Sequence, residues 1–132
     1  MANDRVTIDT LRSPLGRVRG MGSAKGGTHH WWMARVTSVA LLPLTLWLVF
    51  SLIDMAGQSH VATVAWIASP LNAVLLLAFL AAAFHHTAAG LQVVIEDYVR
   101  ADLIRMGGVL GVKAVCFLLW LAASLAVLRI AV

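Results

Sequence analysis

The sequence predicts an all-α membrane protein with three transmembrane helices, its N-terminus cytoplasmic and its C-terminus periplasmic. Three observations carry this. The 132 residues are 61% hydrophobic and only 12% charged, against about 25% charged in a water-soluble domain. Several apolar runs are long enough to cross a ~30 Å hydrocarbon layer. The cations crowd towards one end, with six of the ten Lys and Arg before residue 36. On a soluble protein such an arm would suggest nucleic acid. In front of a span it is an orientation signal, so no nucleic-acid partner is expected. The chain is too short to carry a soluble catalytic domain beside its spans. The single cysteine, Cys116, excludes an internal disulfide and a multi-cysteine metal site. No nucleophile constellation or phosphate-binding loop is present, and no residue is assigned as catalytic.

Residues 1–30 read as a basic, Gly-rich cytoplasmic arm. Four glycines between positions 20 and 27 work against regular structure, and the arm suits the surface of a partner subunit. It lacks the apolar segment of a secretory signal, and Asp4 and Asp9 speak against a mitochondrial presequence. A multi-pass protein of the bacterial cell inner membrane is expected.

Residues 31–132 form the anchor. The first helix is placed at about 31–53. Trp31 and Trp32 beside Arg35 make an interfacial belt, and eighteen residues without formal charge follow, 36–53. Pro43 kinks a membrane helix in a way its neighbours absorb. Residues 54–60 are an exit loop, and 61–68 an amphipathic piece at the interface. Ser69 and Pro70 open the second helix as N-cap and first helical residue. From 70 to 99 it is roughly 45 Å long, so Glu96, Asp97 and Arg100 reach the headgroups. After a short basic turn at 100–105, the third helix occupies about 106–129. Lys113 can snorkel from inside it, and Gly107, Gly108 and Gly111 permit close packing. The arm and the second loop carry the cations, whereas the first loop has none; this sets the orientation.

The chemistry gathers in Phe84–Arg100. His85 and His86 lie in an apolar run, where an ionisable group is expensive and marks a functional site by default. At ~100° per residue, His86, Gly90, Val93 and Asp97 share one helix face. An imidazole with a glycine one turn away suits a flat, bulky ligand. A neutral imidazole is a good axial ligand for haem iron. Adjacent histidines point about 100° apart and cannot clamp one iron, so a second ligand must come from another subunit. The other reading is a histidine hydrogen-bonded across a helix interface. Tyr98 is either an interfacial anchor or a phenol donating to a quinone carbonyl. Asp97 can pair with an arginine, and Arg35 belongs to the same membrane face. Arg35 can also hold haem propionates. His29, His30, Trp31, Trp32, Arg35, Asp97 and Tyr98 are therefore potential neighbours.

The motif His86-x3-Gly90-x6-Asp97-Tyr98, with Arg100 behind it, resembles the haem-and-quinone segment of the small hydrophobic membrane-anchor subunit (D-type) of bacterial succinate dehydrogenase, respiratory complex II. The arm is similar to α-proteobacterial members through Ser13-Pro-Leu-Gly-Arg17-Val-Arg19-Gly, Gly22-Ser-Ala-Lys25 and Thr28-His29-His30-Trp31-Trp32-x2-Arg35-x-Thr37. The resemblance covers about residues 12–104 and the three-span plan. It implies that His86 is one axial ligand of haem b, and so the residue meeting the iron. The second ligand would come from a cytochrome-b-type anchor subunit. It implies that Tyr98, with Asp97 beside it, binds ubiquinone, and that Arg35 and His29 lie by the haem propionates or the pocket. His30 departs from members with an acidic residue there. The implied partners are the second anchor, an iron–sulfur subunit, a flavoprotein subunit and membrane lipid. The implied function is electron transfer from succinate to ubiquinone, in the respiratory chain and the tricarboxylic acid cycle. Two alternatives stand beside it: a haem-b anchor of a fumarate reductase or other quinone-linked complex, and a non-redox structural membrane subunit.

Overall fold

The computed structural model describes residues 27–132 together with Ser13, Leu15 and Val18; the remainder of the arm lies outside the described residues. Among the described residues four helices follow in order: α1 (Gly27–Met55), α2 (His60–Ala68), α3 (Pro70–Tyr98) and α4 (Asp102–Ala131). α1, α3 and α4 are each long and apolar enough to cross a membrane. Thr28-His29-His30, read from sequence as arm, is the first turn of α1. Nothing after Gly27 breaks a helix, and the belt Trp31-Trp32 continues it.

α1 runs through Pro43. Proline has no N–H, so the Val39 carbonyl loses its usual partner four residues on. At Met55 the chain reverses: the Gln58 N–H donates to the Met55 carbonyl at 3.0 Å, and Gly57 takes φ 86°. That left-handed conformation costs glycine nothing. Ser59 then caps α2, its hydroxyl accepting from the Ala62 N–H at 3.3 Å. The amphipathic piece is thus a nine-residue helix. It is tied to α1 by Trp66 stacked on Trp47, with centroids 5.7 Å apart.

Ser69 precedes α3 in the N-cap position with Pro70 at its start, yet its hydroxyl makes no cap bond. Its carbonyl accepts from the Ala73 N–H at 2.9 Å instead. The Asn72 amide donates to the Trp66 carbonyl at 2.9 Å, which satisfies the end of α2. The connection from α3 to α4 is shorter than expected. α4 starts at Asp102, whose carboxylate suits a helix N-terminus and pairs with Arg105 three residues on.

α3 is the central helix. α1 and α4 each pack along it and scarcely against one another, while α2 lies against α3 and α4. The buried residues are all small: Thr37, Ala73, Ala89, Cys116 and Ser124. Large side chains such as Leu42, Phe50, Leu71, Leu110 and Leu125 point outward. A water-soluble bundle would do the reverse. In lipid, burying leucine gains nothing over leaving it in acyl chains, so small residues that let backbones approach hold the interfaces.

Of the three glycines read as packing residues, only Gly108 makes such a contact. A Cβ there would stand 3.4 Å from Cγ2 of Ile95, whereas at Gly107 and Gly111 it would meet nothing within 4 Å. Those two face outward from this chain. Gly108→Leu should therefore wedge α3 from α4 and destabilise by about 1–3 kcal/mol, as overpacking does. It should lower the thermal midpoint in detergent, and Gly107→Ala should not; equal effects would mean that Gly108 is not a contact point.

Candidate functional site

His86 sits just past the middle of α3 and turns towards α1. Its Nδ1 lies 3.2 Å from the Thr37 hydroxyl oxygen and 3.5 Å from that of Ser38. Both hydroxyls also reach backbone carbonyls of α1. Thr37 donates to the Met33 carbonyl at 2.8 Å, with the Ala34 carbonyl at 3.1 Å, and Ser38 donates to the Ala34 carbonyl at 2.8 Å. With the hydroxyl protons on those carbonyls, each oxygen offers His86 a lone pair, and Nδ1 is then the nitrogen that donates. In that tautomer the lone pair is on Nε2. A hydrogen bond at one ring nitrogen that fixes the tautomer and aims the other is what a metal-ligating histidine needs. Thr37 is 8% exposed, which keeps competing water away.

Gly90 is one turn further along the same face. It is exposed, and a Cβ there would meet nothing within 4 Å. The space beside the imidazole is therefore open on the outer side of the bundle, where a flat group shared with another subunit would fit. The neutral imidazole donor and the missing side chain both suit haem.

His85 points elsewhere. It lines a cavity of about 630 Å³ between α1, α3 and α4, together with His29, His30, Gln92, Lys113 and Trp120. The two adjacent histidines, about 100° apart around α3, thus face different surroundings. His29 and Arg35 are also separated, lying about 120° apart around α1 on helical geometry. His29 faces the cavity. Arg35 does not line it and holds its guanidinium 5.1 Å from the Trp31 ring centroid. This cation–π contact explains part of the aromatic belt, since Trp31 also meets Trp32 edge-on at 5.4 Å.

Asp97 and Tyr98 close α3 and are exposed, Tyr98 at 83%. Antiparallel pairing through Thr37 and His86 sets the first turns of α1 level with the last turns of α3, at ~1.5 Å per residue. The predicted site residues therefore share one end of the molecule without forming one cluster. Among the described residues, no ion pair joins Asp97 to Arg35. Thr37 and Ser38 were missed in the sequence. Two hydroxyls inside an apolar span were a visible signal, but only the register of α1 against α3 shows that they face His86.

Taken together, the fold and this polar contact define a multi-pass helical membrane protein with a histidine on its central helix held against α1. Comparison with known proteins narrows the class. Residues 9–127 match the family described as succinate dehydrogenase/fumarate reductase transmembrane subunit. The succinate dehydrogenase hydrophobic membrane anchor subunit of Rickettsia bellii is 33% identical over 119 residues, covering 89% of this chain and 94% of that protein. Those of Rickettsia typhi and Rickettsia conorii are 31% and 30% identical, over 91% and 80% of this chain and 96% and 85% of their own lengths. No solved structure matches the chain. The chain belongs to this family, as a membrane-anchor subunit of succinate dehydrogenase and a multi-pass inner-membrane protein.

The tautomer assignment can be checked directly. In protein labelled with ¹⁵N-histidine, His86 should show protonated Nδ1 and bare Nε2 before any metal binds. Thr37→Ser should keep that signature. Thr37→Val combined with Ser38→Ala should lose it; an unchanged spectrum would mean that the hydroxyls do not set the proton.

Proposed function

We propose that this chain is one of two membrane anchors of a succinate:ubiquinone oxidoreductase, with its basic arm and the end of α3 on the cytoplasmic side. His86 would supply one axial ligand of haem b through Nε2, and Tyr98 and Asp97 would contribute to the ubiquinone-reduction pocket. The observation that carries this is the contact of His86 Nδ1 with the Thr37 and Ser38 hydroxyls, with open space at Gly90 one turn along α3. The family supplies the rest of the setting: a flavoprotein subunit that oxidises succinate, an iron–sulfur subunit that passes electrons on, and a cytochrome-b-type anchor giving the second haem ligand. Haem b, when bound, supplies a one-electron redox centre beside the quinone site.

This chain's own residues then bind and orient. Thr37 and Ser38 hold the His86 ring. Arg35, steadied on Trp31, offers guanidinium edges to haem propionates; His29 lies on the cavity side of the same helix rather than beside it. Tyr98 donates its phenolic O–H to a quinone carbonyl, and Asp97 stands next to it where protons enter. Ubiquinone takes up two electrons and two protons to become ubiquinol, and the headgroup-level position of both residues suits proton delivery from the aqueous side.

A second reading rests on the same hydrogen bond. His86 donating to Thr37 also fastens α3 to α1, as a purely structural histidine would. The reduced-minus-oxidised spectrum of the purified complex separates the two. A b-type α-band should be present in the wild type and lost in His86→Ala, while the flavoprotein and iron–sulfur subunits still oxidise succinate with a soluble dye. A band of full intensity in His86→Ala would remove His86 from the iron. Wild-type complex with no band would leave the structural reading.

Tyr98→Phe removes one hydroxyl and little packing. One lost hydrogen bond in the reacting complex is worth about 1.5 kcal/mol, so quinone reductase turnover should fall roughly tenfold with haem content and assembly unchanged. Unaltered turnover would make Tyr98 an interfacial anchor.

A further inference from the structure

Nδ1 of His86 faces two hydroxyl oxygens, that of Thr37 at 3.2 Å and that of Ser38 at 3.5 Å. Among the described residues no ion pair joins this ring to a carboxylate. A neutral histidine that holds a metal through Nε2 carries its proton on Nδ1. Thr37 can then only accept, and its own proton stays on the carbonyls of α1.

The kind of acceptor at Nδ1 acts on the metal through the ring. A carboxylate attracts the proton most strongly and makes the ring most like an anion. A carbonyl attracts it less, and a neutral hydroxyl less again. A more anionic ring is a more basic ligand, which favours ferric over ferrous iron and lowers the reduction potential.

Thr37 is an acceptor of defined direction. Its hydroxyl donates to the Met33 carbonyl at 2.8 Å, with the Ala34 carbonyl at 3.1 Å. These bonds hold χ1 in one of the two rotamers that threonine favours in a helix. A hydroxyl that donates is also polarised into a better acceptor. Thr37 is buried, so water does not replace it. Back-bonding of this sort slightly destabilises a helix, so α1 gains nothing from it on its own account. Ser38, whose hydroxyl donates to the Ala34 carbonyl at 2.8 Å, stands behind Thr37 as a longer, weaker contact.

We propose that Thr37 is a positioning residue that sets the reduction potential of the haem held by His86. This rests on the haem ligation proposed above. One neutral, pre-oriented oxygen keeps the ring in place and short of imidazolate character, so the potential stays higher than a charged acceptor would allow. Succinate is a weak reductant. A centre that its electrons are to reach gains from a ligand that leaves the ferrous state accessible.

The test is an optical redox titration of the b-type α-band in the intact, detergent-purified complex, with the thermal midpoint recorded in parallel. Thr37→Val with Ser38→Ala removes both acceptors, so the potential should rise. The expected change is about threefold in the ferrous-to-ferric ratio at a fixed potential, or roughly 30 mV for one electron. Thr37→Ser should restore the wild-type value. Thr37→Asn offers an amide carbonyl, a stronger acceptor, and should move the potential downward; it keeps a polar partner and so decides the matter even where the double variant fails to assemble. A lower thermal midpoint with the potential unmoved in both the double variant and Thr37→Asn would reduce Thr37 to a helix fastening and overturn the proposal. So would a shift in Thr37→Ser as large as in the double variant, or a rise in Thr37→Asn. His86→Ala separates this inference from the reading beneath it. A band retained at full intensity there removes both, whereas a band lost there with an unmoved potential in the Thr37 variants removes this inference alone.

Discussion

The contact between Thr37 and His86 is the constraint on which the rest of the arrangement depends. In hydrocarbon an imidazole has no water to turn to, so its polar atoms must be matched by the chain or by something it binds. Thr37 matches one of them. It does so only because its own proton is held by the carbonyl one turn back on α1. This engages Nδ1 of His86, joins α1 to α3, and sets the ends of the two helices level with one another.

The packing follows from the same absence of water. With no hydrophobic force between helices, the interfaces are made by Ala73, Ala89, Thr37, Cys116, Ser124 and Gly108, where close approach is possible. α3 is sandwiched on two sides and exposed on a third. Its exposed face carries Gly90 beside the His86 position, and its face between α1 and α4 carries His85 over a cavity with unpaired polar atoms. One helix thereby separates two environments, an open outer face at Gly90 and an inner cavity with unpaired polar atoms.

Much of this was legible in the sequence, for physical reasons that differ by element. The three long helices are announced by uncharged apolar runs, since few other structures satisfy a backbone in lipid. Pro70 marks the start of α3 because its missing N–H is harmless there. Ser69 takes the N-cap position ahead of Pro70 as expected but makes no side-chain cap bond, whereas the hydroxyl of Ser59 closes one at the head of α2. The early starts of α1 at Gly27 and α4 at Asp102 were missed because helix propensity is continuous across a polar boundary that hydropathy treats as an end. The glycines at 107, 108 and 111 were visible as a group, but which of them touches a neighbour depends on rotation about α4. The divergence of His85 and His86 was legible from periodicity. The identity of what each faces was not, because that needs the register between α1 and α3.

A density map of the intact complex at side-chain resolution tests the central claim most directly, because it shows which histidine meets the iron and on which side of α3. Haem iron within bonding distance of His86 Nε2, with Thr37 still against Nδ1 and the porphyrin over Gly90, is the expected result. Iron bound to His85 inside the cavity between α1, α3 and α4 would contradict the account, and would turn the Thr37 contact into a helix fastening alone.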